Sequence, residues 1–185
     1  MAVIQSVNKS YLGSSAPNPK DPNILIYKVE DVDKFPARDA KGVKSASGPA
    51  GELTLKTGKK GIGIYVNPST LSRNDAGDGE YPARGFIHTV AGTAPGDELA
   101  LNEIIQNYIN QDSIVITKGC ESDSATRLHG AKCAPMELSV EETDNNDATS
   151  KAITAKQTNR YKYKSMHYTG SIPPIEEYAT KEEGA

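Results

Sequence analysis

The chain has 185 residues, a formal net charge of -3, 36% hydrophobic residues and a mean hydropathy of -0.55. That length suits one domain with a real core, while a pI of about 5.7 argues against a general nucleic-acid binder, which needs clustered Lys and Arg. Nothing approaches a transmembrane span, so no membrane partner is expected, and MAVIQSVNKSYLG lacks the basic region and apolar run of a signal peptide.

Residues 1–22 end in APNPKDP and read as an extended arm, because proline at that density precludes a helix. A single β-rich domain is expected over 23–170, opening with the strand NILIYKVE at 23–30. The polar segment 31–51, with Phe35-Pro36 and Gly48-Pro49, reads as a long loop with little structure of its own, the kind that usually carries function. Two strands then flank the turn Thr57-Gly58-Lys59-Lys60. LSRNDAGDGE at 71–80 reads as a hydrophilic turn, and a strand is expected over 81–90.

The one convincing helix is expected at about 97–110. Pro95-Gly96 breaks the chain before it, Asp97 is its expected N-cap, and Glu98 favours the positive end of its dipole. On the 3.6-residue period Leu101, Ile104, Ile105 and Tyr108 share a core-facing stripe, with Ile109 at its edge. SIVIT at 113–117 is the strand after it. Two further strands are expected at 127–130 and 134–140, then the acidic turn EETDNNDAT. A closing hairpin follows, its arms at 152–157 and 160–168. GSIPPIEEYATKEEGA, the 171–185 region with Gly170 before it, reads as an extended tail.

No chemical motif stands out. GKKGIG lacks phosphate-loop spacing and continues into a strand. His88, His129 and His167, with Cys120 and Cys133, form no CxxC, HxH or HxxxH unit, so they read as sheet or surface residues and reduced thiols; no metal or cofactor is expected. Asp75, Asp78 and Glu80 lack calcium-loop register and read as a solvated turn. Tyr161 and Tyr163, near Arg160, Lys162 and Lys164, could stack a base or a sugar, but strand alternation makes them an ordinary half-buried sheet face. No nucleophile constellation is present, and a non-enzyme is expected.

The series of arm, strand, long loop, hairpin, GFIHTV strand, GD-initiated helix, SIVIT and terminal strands resembles the major tail tube proteins of long-tailed bacteriophages and the related inner-tube proteins of contractile injection systems. The likeness covers residues 51–170 and is closest in GFIHTVAGTAPGDELALNEIIQNYINQDSIVITKGC followed by RLHGAKCAPMELSVEE. It implies a mainly β, sandwich- or barrel-like protomer with one flanking helix. It also implies a virion tail protein made in the bacterial host cytoplasm, self-assembling into stacked, hexameric rings as a conduit for DNA. Its partners would be copies of itself, other virion tail proteins and DNA in transient, non-specific passage. On that expectation Phe35, Pro36, Arg38, Lys41 and Lys44 are ring-stacking candidates in the long loop. Glu137, Glu141, Glu142 and Asp144 are lumen candidates by charge, since negative walls repel phosphate. A capsid decoration or head-completion protein, and a monomeric β-sandwich module for carbohydrate or peptide, are the alternatives.

Overall fold

The computed structural model describes residues 20–120 and 126–178; of the arm expected at 1–22, residues 1–19 lie outside them and residues 20–22 instead open the first strand, and the last residues of the tail also lie outside. The strands are β1 Lys20–Lys28, β2 Val32–Lys34, β3 Thr54–Leu55, β4 Ile62–Tyr65, β5 Ser72–Asp78, β6 Gly85–Pro95, β7 Ser113–Gly119, β8 Arg127–His129, β9 Met136–Asp144, β10 Thr149–Gln157 and β11 Met166–His167; the helix α1 is Leu99–Tyr108. Among the described residues the fold is mainly β with one helix, as the residue patterns led one to expect, and it is a β-sandwich, one of the two forms the resemblance implies.

β7 organises the architecture. β1 pairs with it antiparallel from Ile24↔Thr117 to Lys28↔Ser113. β8 takes its other edge at residues 115–117, and Ser113 bridges to Met136 at the start of β9. With β4 beyond β1 and β11 beyond β8, these strands form one layer. β9 then leaves β7 at the Ser113–Met136 corner and runs with β10, β6 and β5 as a second, antiparallel layer. Between the layers lie Ile24, Ile26, Ile64, Val90, Val115, Met136, Leu138 and Ile153. Period-2 alternation produces this: Met136 and Leu138 point in while Glu137 and Ser139 point out.

β1 and β7 are buried on both faces, which explains their unbroken apolar runs ILIY and SIVIT. Their second face carries Leu25, Tyr27, Ile114 and Ile116, and it is covered by Val32, Leu53, Phe35, Leu55, Met166, Tyr168 and Ile175. The 31–51 segment, expected to be a loop without structure, is therefore part of a third layer. It follows the 3-10 turn Val29–Asp31, contains β2 and the 3-10 turn Gly48–Gly51, and its tip is stitched to the neighbourhood of β11. Ser45 N donates to His167 O (2.8 Å), His167 N donates to Val43 O (3.0 Å) and Thr169 N donates to Ser45 Oγ (3.0 Å).

Four other expectations change. LSRNDAGDGE is not a turn but largely strand β5, paired with β6 from Ser72↔Ala91 to Asp78↔Gly85. The acidic turn is shorter than EETDNNDAT, because β9 runs through Asp144 and β10 resumes at Thr149. The segments 152–157 and 160–168 do not pair with each other: β10 lies between β9 and β6, and only Met166–His167 of the later segment is strand, paired with β8. The helix begins at Leu99 with Glu98 at its N-cap and no side-chain capping bond. Asp97 instead accepts from Asn102 Nδ2 (2.7 Å) and pairs with the fully buried Lys151 (2.8 Å), so it anchors the helix entry to β10.

The C-terminal segment is extended but lies against the fold. Gly61 N donates to Pro174 O (3.0 Å), Glu176 N donates to Gly61 O (2.8 Å), and the buried Tyr27 hydroxyl donates to Pro173 O (3.0 Å). These bonds place residues 173–176 along the edge of β4.

Candidate functional site

Two surfaces and one polar cluster are the places where this fold could act. The first surface is the outward face of the sheet β9-β10-β6-β5. By register and alternation it presents Glu137, Ser139 and Glu141 from β9; Ser150, Ala152, Thr154 and Lys156 from β10; Ile87, Thr89, Ala91 and Thr93 from β6; and Ser72, Asn74, Ala76 and Asp78 from β5. The side chains are short, with three carboxylates and one lysine. Among the described residues no strand pairs with β5 beyond β6, or with β9 between Glu137 and Asp144 on the side away from β10. Both edges of this sheet are thus open.

Of the four acidic residues singled out by charge, Glu137 and Glu141 lie on that outward face. Glu142 alternates inward and holds Lys151 Nζ at 2.8 Å, opposite Asp97. Asp144 accepts from Thr149 Oγ1 (2.9 Å) at the end of the hairpin. Within the 31–51 segment the structure separates the five loop residues. Phe35 is half-buried against the second core, and Pro36 is also half-buried. Arg38 donates to Gly42 O and Lys164 O (both 2.9 Å) and lies over the Tyr163 ring at 4.8 Å. Only Lys41 and Lys44 are exposed. Tyr161 and Tyr163 pack edge to face at 5.6 Å beside Arg38, so they serve the packing of this region rather than an open stacking platform.

The second surface is an open groove of about 570 Å³ between α1, β4 and residues 176–178. Leu101 and Ile104 line it and pack against the core, and Tyr108 is buried. Ile105 of the same stripe is half-buried, and Ile109 is exposed.

The polar cluster lies between β5 and β8. Asp75, His88 and His129 offer ligand atoms within 4.8 Å of one another, a grouping that no sequence spacing announces. Gly130, at φ 89°, turns the chain after β8 so that its N–H donates to His88 Nδ1 (3.1 Å). That bond makes Nδ1 an acceptor, so Nε2 carries the hydrogen and donates to Tyr163 O (2.9 Å). Both nitrogens of His88 are therefore engaged by protein. Thr117 Oγ1 accepts from Arg73 Nη1 (3.3 Å) and lies 3.2 Å from His129 Nε2. Asp75 Oδ2 accepts from Ser165 Oγ (2.7 Å), while Asp75 Oδ1 and His129 Nδ1 are buried without a hydrogen-bond partner.

Electrostatics decide what this cluster can hold. Burial pushes the His129 imidazole down to about 3, with His88 acting in the same direction, and burial also lowers His88; both rings are neutral at pH 7. Burial likewise lowers the Arg73 and Arg127 guanidiniums, and Arg73 adds to the effect on Arg127. Arg73, Arg127 and Lys164 line a polar pocket of about 260 Å³ together with Asp75, His129 and Ser165. Among the described residues Arg127 and Lys164 face a single carboxylate here and His88 is already fully bonded, an arrangement that does not suit a metal ion. The pocket suits an oxyanion.

Cys120 and Cys133 are free and exposed. Among the described residues no helix is long and apolar enough to cross a membrane. In comparison with known proteins, no protein-family model matches the chain, and no curated protein and no solved structure matches it.

Proposed function

We propose that the chain is a virion structural protein, a tail tube subunit that assembles into stacked, hexameric rings around a channel for DNA. The observation that carries this reading is the four-stranded sheet β9-β10-β6-β5, which among the described residues has both edges unpaired and no strand or helix over its outward face. An open edge is a row of unpaired N–H and C=O groups, which isolated domains keep short, covered or charged. Here β5 is seven residues long and β9 nine, lengths that suit pairing with a neighbour. Joining β5 of one copy to β9 of the next would close the sheet into a ring and remove both edges. The outward face would then line the interior. Its short hydroxyl and alanine side chains leave a smooth wall, and Asp78, Glu137 and Glu141 outnumber Lys156, so the wall repels phosphate rather than gripping it.

The exposed Lys41 and Lys44 stand at the tip of a segment whose base belongs to the core, and in this reading they contact the adjacent ring. Negative-stain electron microscopy across a protein concentration series, with light-scattering mass, tests the proposal. Rings or hollow tubes are the expected result. A clean monomer at every concentration, with saturable binding of a sugar or peptide, would replace it with a binding module.

A further inference from the structure

The basic pocket and the acidic β9–β10 hairpin lie at opposite edges of the same sheet. The pocket is lined by Arg73, Asn74 and Asp75, three consecutive residues of β5 whose side chains alternate between faces. A cavity that meets all three lies at the edge of the strand, and the other edge of β5 is taken by β6. Arg127 and Lys164 enter from β8 and from the segment before β11. Among the described residues neither has a carboxylate within ion-pair distance; the one carboxylate in the pocket, Asp75, has an oxygen committed to Ser165.

At the far edge the hairpin concentrates the opposite charge. Glu141, Asp144 and Asp147 are exposed, and among the described residues none has a cationic partner. The tip is held in one shape: Asn145 Oδ1 accepts from Asp147 N and Ala148 N (both 2.9 Å), and Asn145 N donates to Ala148 O (3.0 Å). A rigid acidic tip and a half-buried arginine pocket are complementary in charge, and guanidinium groups bind carboxylates through paired N–H donors.

We infer that Arg127 and Lys164 of this pocket receive a carboxylate of the β9–β10 hairpin from a second copy of this chain, locking the register in which β5 of one protomer meets β9 of the next. The inference rests on the ring reading above and adds the contact that selects the partner edge. An edge-to-edge joint made by backbone bonds alone could slip by two residues without exposing its core face. A charged side chain seated in a shaped pocket fixes one register.

The experiment uses the full chain with assembly read by light scattering and electron microscopy, and folding read by circular dichroism. Wild type is expected to assemble. Lys164→Glu, a change at an exposed side chain, and the double change Arg127→Glu with Lys164→Glu are expected to keep the fold and weaken association by about tenfold or more. Combining the double change with Asp144→Lys and Asp147→Lys is expected to restore assembly. Folded Lys164→Glu and Arg127→Glu variants that assemble like wild type would overturn the contact while leaving the ring reading intact. Saturable binding of inorganic phosphate to the monomer, lost in Lys164→Glu without any change in assembly, would overturn it in favour of a free-oxyanion site. A wild type that stays monomeric at every concentration would sink the ring reading and this contact together.

Discussion

The buried imidazole of His129 makes stability depend on pH from about 6.5 downward, starting above the range in which ordinary carboxylates titrate. In the unfolded chain a histidine takes up its proton near 6.5, whereas in the fold burial holds His129 down to about 3. As pH falls through this window the unfolded state binds a proton that the native state refuses, so stability is complete above 6.5 and is lost towards 3. Between about pH 7 and pH 5, His129 alone removes about 2 kcal/mol, from about 1.4 kcal/mol per pH unit once the unfolded group is protonated. His88 is shifted in the same direction by its own burial and adds to the loss. Urea unfolding of dilute protein at half-unit pH steps measures this directly. His129→Asn removes the titrating group and is expected to flatten the profile by His129's share, whatever its stability at pH 7. A wild-type midpoint unchanged between pH 7 and 5, or an Asn variant with the full slope, would refute the burial argument.

Three further outcomes follow from particular contacts. Tyr27→Phe deletes the donor to Pro173 O from a fully buried side chain and is expected to cost about 1–2 kcal/mol in urea unfolding, with faster proteolysis of residues after 170. Gly92→Ala would place a Cβ 2.8 Å from Val66 Cγ2 inside the core, costing about 1–3 kcal/mol, and Val66→Ala in the same chain should recover part of that. Lys151→Met leaves Asp97 and Glu142 facing each other without their common partner; its melting temperature should fall further than that of Lys156→Met, and added salt should narrow the difference.

The legible parts of the fold are those whose residues carry one strong period. The helix stripe Leu101, Ile104 and Tyr108 and the runs ILIY and SIVIT each fit one template, and each forms the element expected. β5 was hidden because Ser72–Asp78 is polar on both faces: its outward side meets solvent, and its inward side carries Arg73 and Asp75 into the polar cluster. The Tyr161–Tyr163 alternation imitates a strand, yet that segment spends its backbone on a bridge to Phe86 and on accepting from Arg38. The pocket was illegible for a different reason. Its cations come from β5, β8 and the segment before β11, which only the sheet order brings together, so no spacing in the chain could announce it.

The double burial of β1 and β7 bears on how the 31–51 segment can respond to a neighbour. A loop that merely decorates a sandwich can be reshaped at little cost, but this one is one of the two covers over the central strands. Lifting its base away would bring Leu25, Tyr27, Ile114 and Ile116 into contact with water. Adaptability is therefore confined to the few residues between Asp39 and Lys44, and even these are tied by Gly42 N to Asp39 O and Asp39 N to Lys44 O. A contact made there is made by a preformed knuckle, and the load placed on it passes straight into strands buried on both faces.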